Sequence, residues 1–425
     1  MNATAGIRPA PHYRFPAADC SRIPYGMYLD ADIYALEQLC IFRGPVWNFL
    51  ALEAEIPRPG DFRVVAVGDT PVIVDRARDG SIHAMVNRCA HRGSIVQRAL
   101  HGNCKVHTCC YHQWSFDLTG KLVGVPFQKG LNGHGGLPAD FDKSCHSLQR
   151  LRIATLNGVI FGTFSDATEP LEEFLGPLFT EQVKRLFRKP IRILGYQRQR
   201  ISGNWKLYTD NLRDPNHGGL LHMFQITFGI ARLSGTGGAR MDADGKHNLS
   251  WAAQGGRDGE ATEGYDDTGR GDMNITLRDP SLLRYYKEFP DALTLAISSL
   301  FPGSALQQIG NTLAVRQIRT RSADEFEIVS TFFGYEDDDE DMARHRLRKA
   351  NLAGPAGLVS MEDGEAVELI HRAIVRDADQ HSVVEFGGRG AIKDQENLIS
   401  DVPMRGFWLH YCKLMGITPG LTAWA

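Results

Sequence analysis

An α+β chain in two parts is what this sequence predicts: an all-β domain over residues 43–165, and a second domain from residues 1–42 and 166–425 in which helices cover an antiparallel sheet. Three patterns carry that reading. Residues 43–165 alternate short apolar runs with turn chemistry; the period becomes helical near residue 169; beyond it, strand-like runs are interleaved with helices.

In the first part the runs are FRVVAVG, TPVIVDRA, SIHAMVN, VHTCCY, WSFDLTGKL, LRIATL and GVIFGTF. They are separated by RPGD, RDG, LTGK and LNG, whose glycine, proline and polar residues supply turn geometry. EPLEEFLGPLFTEQVKRLFRK then sets Leu171, Phe174, Leu175, Leu178 and Phe179 on one helical face. LTLAISSLF, ALQQI, TLAVRQI and EFEIVSTFFGY read as strands. EDDDEDMARHRLRKANL opens with acids and carries Arg344, Arg346, Arg348 and Lys349 toward its end, the order a helix dipole favours. The Gly-rich residues 235–272 read as a long mobile loop, a lid or an intersubunit contact.

The 47 basic and 50 acidic residues of the 425 nearly cancel, and no basic tract occurs, so neither a nucleic acid nor an anionic membrane is an expected partner. The first thirty residues lack a signal-peptide pattern, and no apolar run reaches the roughly 18 residues that span a bilayer. A cytoplasmic protein is expected. Four of its eight cysteines fall within residues 89–110, which in such a chain points to metal or redox chemistry before disulfides.

That cluster contains two short loops, Cys89-Ala-His91 and Cys109-Cys110-Tyr111-His112, each offering one thiolate and one imidazole. Such a set suits a tetrahedral zinc, or a [2Fe-2S] cluster with two sulfurs on one iron and two nitrogens on the other. Alternation of Cys and His within each loop favours the second. Cys104 and His107 read as a turn and strand leading into the loop, with no metal role.

CAHRG followed by CYHQW resembles the Rieske loops of bacterial aromatic-ring-hydroxylating oxygenases. The likeness implies an all-β Rieske [2Fe-2S] domain held by Cys89, His91, Cys109 and His112, with Tyr111 and Trp114 shielding the second loop. Cys110 stands where the family commonly has proline, and Gln113 where it commonly has glycine. Similarity extends through VWNFLALEAEIPRPGDF, GVPFQKG, LRIA, NWKLYTDNLRDPNH, FPGSALQQI and ANLAGPAG to large (alpha) subunits acting on aromatic carboxylates: anthranilate, ortho-halobenzoate, salicylate 5- and terephthalate oxygenases.

A second set of ligands lies in NWKLYTDNLRDPNHGGLLH. His217 and His222 would stand roughly 140° apart on a regular helix, so they converge only where the helix is broken, a role for Gly218 and Gly219. Two imidazoles and one carboxylate make the facial triad of non-heme Fe(II) oxygenases. Glu362, Asp363 and Glu365 are the available acids, and the resemblance selects Asp363; Ser360 to Asp363 also fits a helix capping box. The resemblance also gives Asp214 as a bridge from this iron site to His112 of a neighbouring chain, although Asn216 stands where tyrosine is common.

Arg316, within the apolar run TLAVRQI, is the candidate contact for a substrate carboxylate, while Leu398 stands where terephthalate enzymes place a second cation. The resemblance therefore implies a dioxygenase using O2 and electrons from NAD(P)H, delivered by a reductase with or without a ferredoxin. Anthranilate, collapsing to catechol, is the favoured substrate. The expected assembly is an α3 trimer or an α3β3 hexamer with a small (beta) subunit. A Rieske electron carrier without oxygenase activity, or a zinc hydrolase built on His217, His222 and Asp363, are the readings from other classes.

Overall fold

The computed structural model describes residues 14–253, 265, 275–354 and 358–420, in two compact units. One is Phe42–Leu171; the other joins the residues up to Ile41 with Glu172 onward.

Phe42–Leu171 is built from three small antiparallel sheets. The strands Asp61–Val67, Thr70–Arg76 and Ile82–Val86 form a meander, its second turn at the RDG read above, with His101–Asn103 added at the edge. Val106–Thr108, Ser115–Asp117 and Leu122–Gly124 make a second sheet. The third pairs Arg152–Leu156 and Val159–Thr163 with Asn48–Leu52. NFLAL buries all five of its residues, so it has no alternation by which to announce a strand. VHTCCY ends as a strand at Thr108, and Cys109 begins a loop.

The core of this unit gathers Phe62, Ile73, Met85, Trp114, Phe116 and Leu148 around Cys89 and Cys109. His107 is wholly buried within it. Its Nε2 lies 3.0 and 2.9 Å from the two Asp75 carboxylate oxygens, and its ring meets Phe62 edge-on. Burial opposes charge on both partners and pushes the Asp75 carboxyl up, but Asp75 and Cys104 outweigh burial at His107 and hold it at about 9. One nitrogen placed against both oxygens favours the imidazolium–carboxylate pair.

Among the described residues of the second unit, seven antiparallel strands form one sheet. Its order is Ile191–Ser202, Glu325–Tyr335, Thr312–Ser322, Ser304–Ile309, Leu293–Leu300, Asn248–Ala253 and Gly237–Met241. The four apolar runs read as strands occupy its middle. Two pieces differ from the sequence reading. Ile191–Ser202, rich in Arg and Gln, is an edge strand whose polar residues alternate into solvent. Residues 237–253 of the expected mobile loop are a β-hairpin at the opposite edge, and most of the remainder lies outside the described residues.

Helices Trp205–Arg213 and Glu340–Ala353 pack on the sheet, and Val359–Ile374 packs on Trp205–Arg213. Asp339 caps the second of these through the Met342 amide, as its acidic start implied. The expected helix at 171–186 forms, but Gly176 at φ 64° followed by Pro177 breaks it. The Trp205–Arg213 helix is fastened by buried charge: Lys206 Nζ and Tyr411 Oη each lie 2.5 Å from Glu37 Oε1, and Trp205 Nε1 donates to Glu37 Oε2 at 2.6 Å. Among the described residues, no helix is long and apolar enough to cross a membrane.

Breaking the His107–Asp75 pair by Asp75→Ala leaves a buried imidazole without its carboxylate and is expected to cost about 3–5 kcal/mol in urea unfolding. The His107 pKa is raised from 6.5 to about 9 on folding. Its contribution to stability is therefore complete below about pH 6.5 and is lost as pH rises through about 9.

Candidate metal centres

The two Cys–His loops share one backbone design. Cys89 N–H donates to the Ser94 carbonyl and Gly93 N–H to the Cys89 carbonyl; Cys109 N–H donates to the Trp114 carbonyl and Gln113 N–H to the Cys109 carbonyl. Each loop turns through a left-handed residue four places after its cysteine, Gly93 at φ 73° and Gln113 at φ 58°. Glycine adopts that conformation freely, whereas glutamine pays roughly 1–2 kcal/mol. The departure from the family pattern at Gln113 is thus absorbed as local strain.

The sulfurs of Cys89 and Cys109 contact one another, both buried. Amides of His91 and Arg92 face the first, and those of Tyr111 and His112 face the second, with the Ser94 hydroxyl. Burial raises the Cys89 thiol; at Cys109 these donors overcome burial and bring the thiol below its ordinary value. On the outer side the His91 and His112 rings lie 4.5 Å apart at 74°. Trp114 stacks on His91 at 4.8 Å, and Tyr111 leans on His112 at 3.9 Å while staying exposed. Sulfur paired with sulfur, and ring with ring, suits a cluster with one iron on each pair. Amide donors aimed at the thiolates would stabilise their charge.

In the second unit His217, His222 and Asp363 bring ligand atoms within 4.8 Å of one another. The helix that starts at Trp205 ends at Arg213; His217 opens a 3₁₀ turn, and His222 precedes the helix Met223–Thr227 at φ −81°, ψ 85°. The break expected between the histidines is there, but Gly219 serves it by close approach. A Cβ on Gly219 would stand 2.5 Å from Leu233 Cγ and 2.9 Å from the Tyr265 hydroxyl.

Asp363 Oδ1 lies 3.4 Å from His217 Nε2, 3.5 Å from His222 Nε2, and accepts from Asn211 Nδ2 at 3.2 Å. Each Nδ1 is turned the other way. His217 Nδ1 faces the Asp214 carbonyl at 2.5 Å and must donate, since a carbonyl can only accept; His222 Nδ1 donates to Glu362 Oε2 at 2.9 Å. Both Nε2 lone pairs are therefore directed to the common point, an arrangement suited to a metal ion. Burial lowers the His217 pKa and Asp363 more strongly raises it, to about 9; burial is likewise outweighed at Asp363, held low by the two histidines and Arg316.

The capping box does not form. Leu358 occupies the N-cap without a side-chain bond, Ser360 Oγ donates to Gln199 Oε1 at 2.6 Å, and Asp363 is left to the histidines. Of the three candidate acids Glu365 is exposed and Glu362 holds His222 from behind, a role that sequence spacing could not assign. Asp214 Oδ1 accepts from the Asn216 and His217 amides at 2.8 and 3.2 Å, closing the turn, and Oδ2 lies 4.0 Å from His217 Nδ1. Asp214 is half-buried.

A cavity of about 410 Å³ opens beside the trio. Arg316 lines it, buried rather than on an outer face, with Nη1 3.5 Å from the Tyr208 hydroxyl. Ser250, Ala252, Leu295, Ile297 and Ile309 supply a small and apolar floor, and Leu398 closes part of the wall.

Residues 46–135 match the family described as Rieske [2Fe-2S] domain. The chain is 46% identical over 403 residues, 95% of each chain, to the anthranilate 1,2-dioxygenase large subunit of Burkholderia cepacia. It is 42% identical over 400 residues to the terephthalate 1,2-dioxygenase terminal oxygenase component subunit alpha 2 of a Comamonas species, covering 93% of this chain and 96% of that one. Among solved structures, naphthalene 1,2-dioxygenase from a Rhodococcus species superposes with a TM-score of 0.76 at 23% identity, over 93% of this chain and 94% of that one, a likeness of fold.

Gly219→Ala is expected to push the His217 turn off Leu233 and Tyr265 and to lower bound mononuclear iron, while the visible absorption of the cluster persists. Iron titration of the purified variant, with its absorption spectrum, reads both.

Proposed function

The chain belongs to the large subunits of the Rieske-type ring-hydroxylating dioxygenases, and from that premise we propose that it dihydroxylates an aromatic monocarboxylate, best anthranilate, giving catechol, CO2 and ammonia. The observation that carries this reading is the cavity, in which one buried arginine and a largely apolar lining adjoin two histidines and a carboxylate.

Residues 43–165 would hold the [2Fe-2S] cluster through Cys89 and Cys109 on one iron and His91 and His112 on the other. Residues 1–42 and 166–425 would hold Fe(II) through His217, His222 and Asp363. When bound, these groups supply single electrons and activation of O2 for addition to the ring. The side chains position the rest. Glu362 and the Asp214 carbonyl hold both imidazoles in the Nε2-binding tautomer. Arg316 pairs the substrate carboxylate, which could not enter an apolar cavity unpaired. Leu398 leaves its own part of the wall without a cation, so no second carboxylate is paired at that position, which favours anthranilate over terephthalate there. Ortho-halobenzoate and salicylate remain related alternatives.

Asp214, with Oδ1 committed to its own turn, keeps Oδ2 to accept from the outward nitrogen of His112 in a second copy. This supports an α3 trimer or an α3β3 hexamer with a small subunit, in which cluster and iron of adjacent copies are coupled. Electrons would come from NAD(P)H through a reductase, directly or by a ferredoxin. We place the chain in the cytoplasm, where the six cysteines other than Cys89 and Cys109 stay reduced.

Oxygen uptake with a panel of substituted benzoates, together with product identification, tests the substrate; catechol from anthranilate is the expected outcome, and uptake with no benzoate contradicts it. Asp214→Asn should retain both metal centres and lose about 10- to 100-fold in turnover. Unchanged turnover contradicts the bridge.

A further inference from the structure

The cavity contains a second buried cation. Lys349, on the helix Glu340–Ala353, is 7% exposed and lines the cavity wall. Among the described residues its ammonium has no hydrogen bond or ion pair. Two other buried cations of this unit are paired, Lys206 with Glu37 at 2.5 Å and Arg346, on the same helix, with Asp338 and Glu288 at 2.7 and 2.5 Å, whereas the Arg213 guanidinium donates only to the Asn248 amide oxygen, at 3.0 Å, and does not line the cavity. Burial alone acts on Lys349 and lowers its pKa. A largely buried ammonium that no described residue pairs, beside an open cavity, is suited to a counter-charge that enters that cavity.

Sheet register places this residue relative to Arg316. Arg316 lies opposite Ala305, and Thr312 opposite Ile309, at the far end of the same strand pair. A Cβ on Gly310, in the turn between them, would stand 4.0 Å from both Lys349 Nζ and the Tyr285 ring. Four residues of strand separate the Thr312 and Arg316 backbones by roughly 14 Å. Arg316 belongs to the end where it acts on Asp363, and Lys349 to the other end.

We propose that Lys349 is a carboxylate-binding residue of this cavity, at the end remote from His217, His222 and Asp363. The ligand class is an aromatic acid, and the inference rests on the function proposed above. Two sources share this chemistry. A monocarboxylate meets Lys349 on its way to Arg316, or an acid with a second carboxylate keeps that group on Lys349 while Arg316 holds the first.

The test compares holoenzyme carrying Lys349→Met or Lys349→Arg with the parent, using anthranilate, its neutral amide and terephthalate. Oxygen uptake gives kcat/KM, and anaerobic calorimetry gives Kd. In Lys349→Met the acid-to-amide ratio of kcat/KM, or of affinity, should fall roughly 10- to 100-fold, and Lys349→Arg should restore it. A fall for anthranilate identifies an entry contact; a fall confined to terephthalate identifies a contact with a distal carboxylate. Unchanged ratios for both acids overturn the proposal. So does a lowered melting temperature with unchanged ratios, which would assign Lys349 to the fold. Removing an unpaired ammonium is expected to leave the melting temperature equal or higher. If the parent turns over no acid, the functional reading fails, and calorimetry with the same three compounds still decides the role of Lys349.

Discussion

A single buried carboxylate sets the terms for the second unit. Asp363 is 2% exposed, and such a group is stable as an anion only if positive or donating partners surround it. Two Nε2 atoms and the Asn211 amide do so. Those partners come from residues 211–222, whereas Asp363 comes from a helix some 140 residues later. The two segments must be held in register before a ligand set exists.

That register is held from beneath. Lys206, Trp205 and Tyr411 converge on Glu37, while Asp210 joins Tyr28 at 2.7 Å and Trp408 at 2.9 Å. Both sets act on the helix whose end delivers Asn211, Asp214 and His217. Burial raises Asp210 to about 7, so its two donors serve an acid at the edge of ionisation. Polar contacts of this kind, within an apolar core, specify one position for the helix where hydrophobic packing alone would tolerate several. On the other side, Gly364 lets the Asp363 helix lie against Gln199: a Cβ there would meet Gln199 Nε2 at 2.3 Å.

Much of this was legible in the sequence wherever chemistry has a fixed local spacing. C-x-H and C-x-x-H, and the pair His217 and His222, point to their sites because each motif is short. The turn-punctuated runs of the all-β unit and the four central strands were legible for the same reason. What stayed hidden depends on distant residues. Ser360 looks like a helix cap until Gln199, from another strand, takes its hydroxyl. His107 meets Cys104 in its own stretch but finds its charged partner, Asp75, only across the core. Glu362 and Lys349 belong to helices whose charge patterns read as ordinary, and only the tertiary fold turns one toward His222 and the other toward the cavity. Gln113 is the exception: its offset from Cys109 equals that of Gly93 from Cys89, so the left-handed turn was available to sequence comparison of the two loops.

The central claim is that one chain carries two different iron sites, a two-iron cluster held by paired sulfurs and paired rings, and a single ion held by His217, His222 and Asp363. Anaerobic iron, zinc and sulfide analysis of the purified chain tests it most directly, with an electron paramagnetic resonance spectrum of the reduced protein. The account predicts about three irons and about two sulfides per chain, no zinc, and a reduced [2Fe-2S] signal of Rieske type. Zinc in place of iron at either site, or cluster iron and sulfide with no third iron, would contradict it.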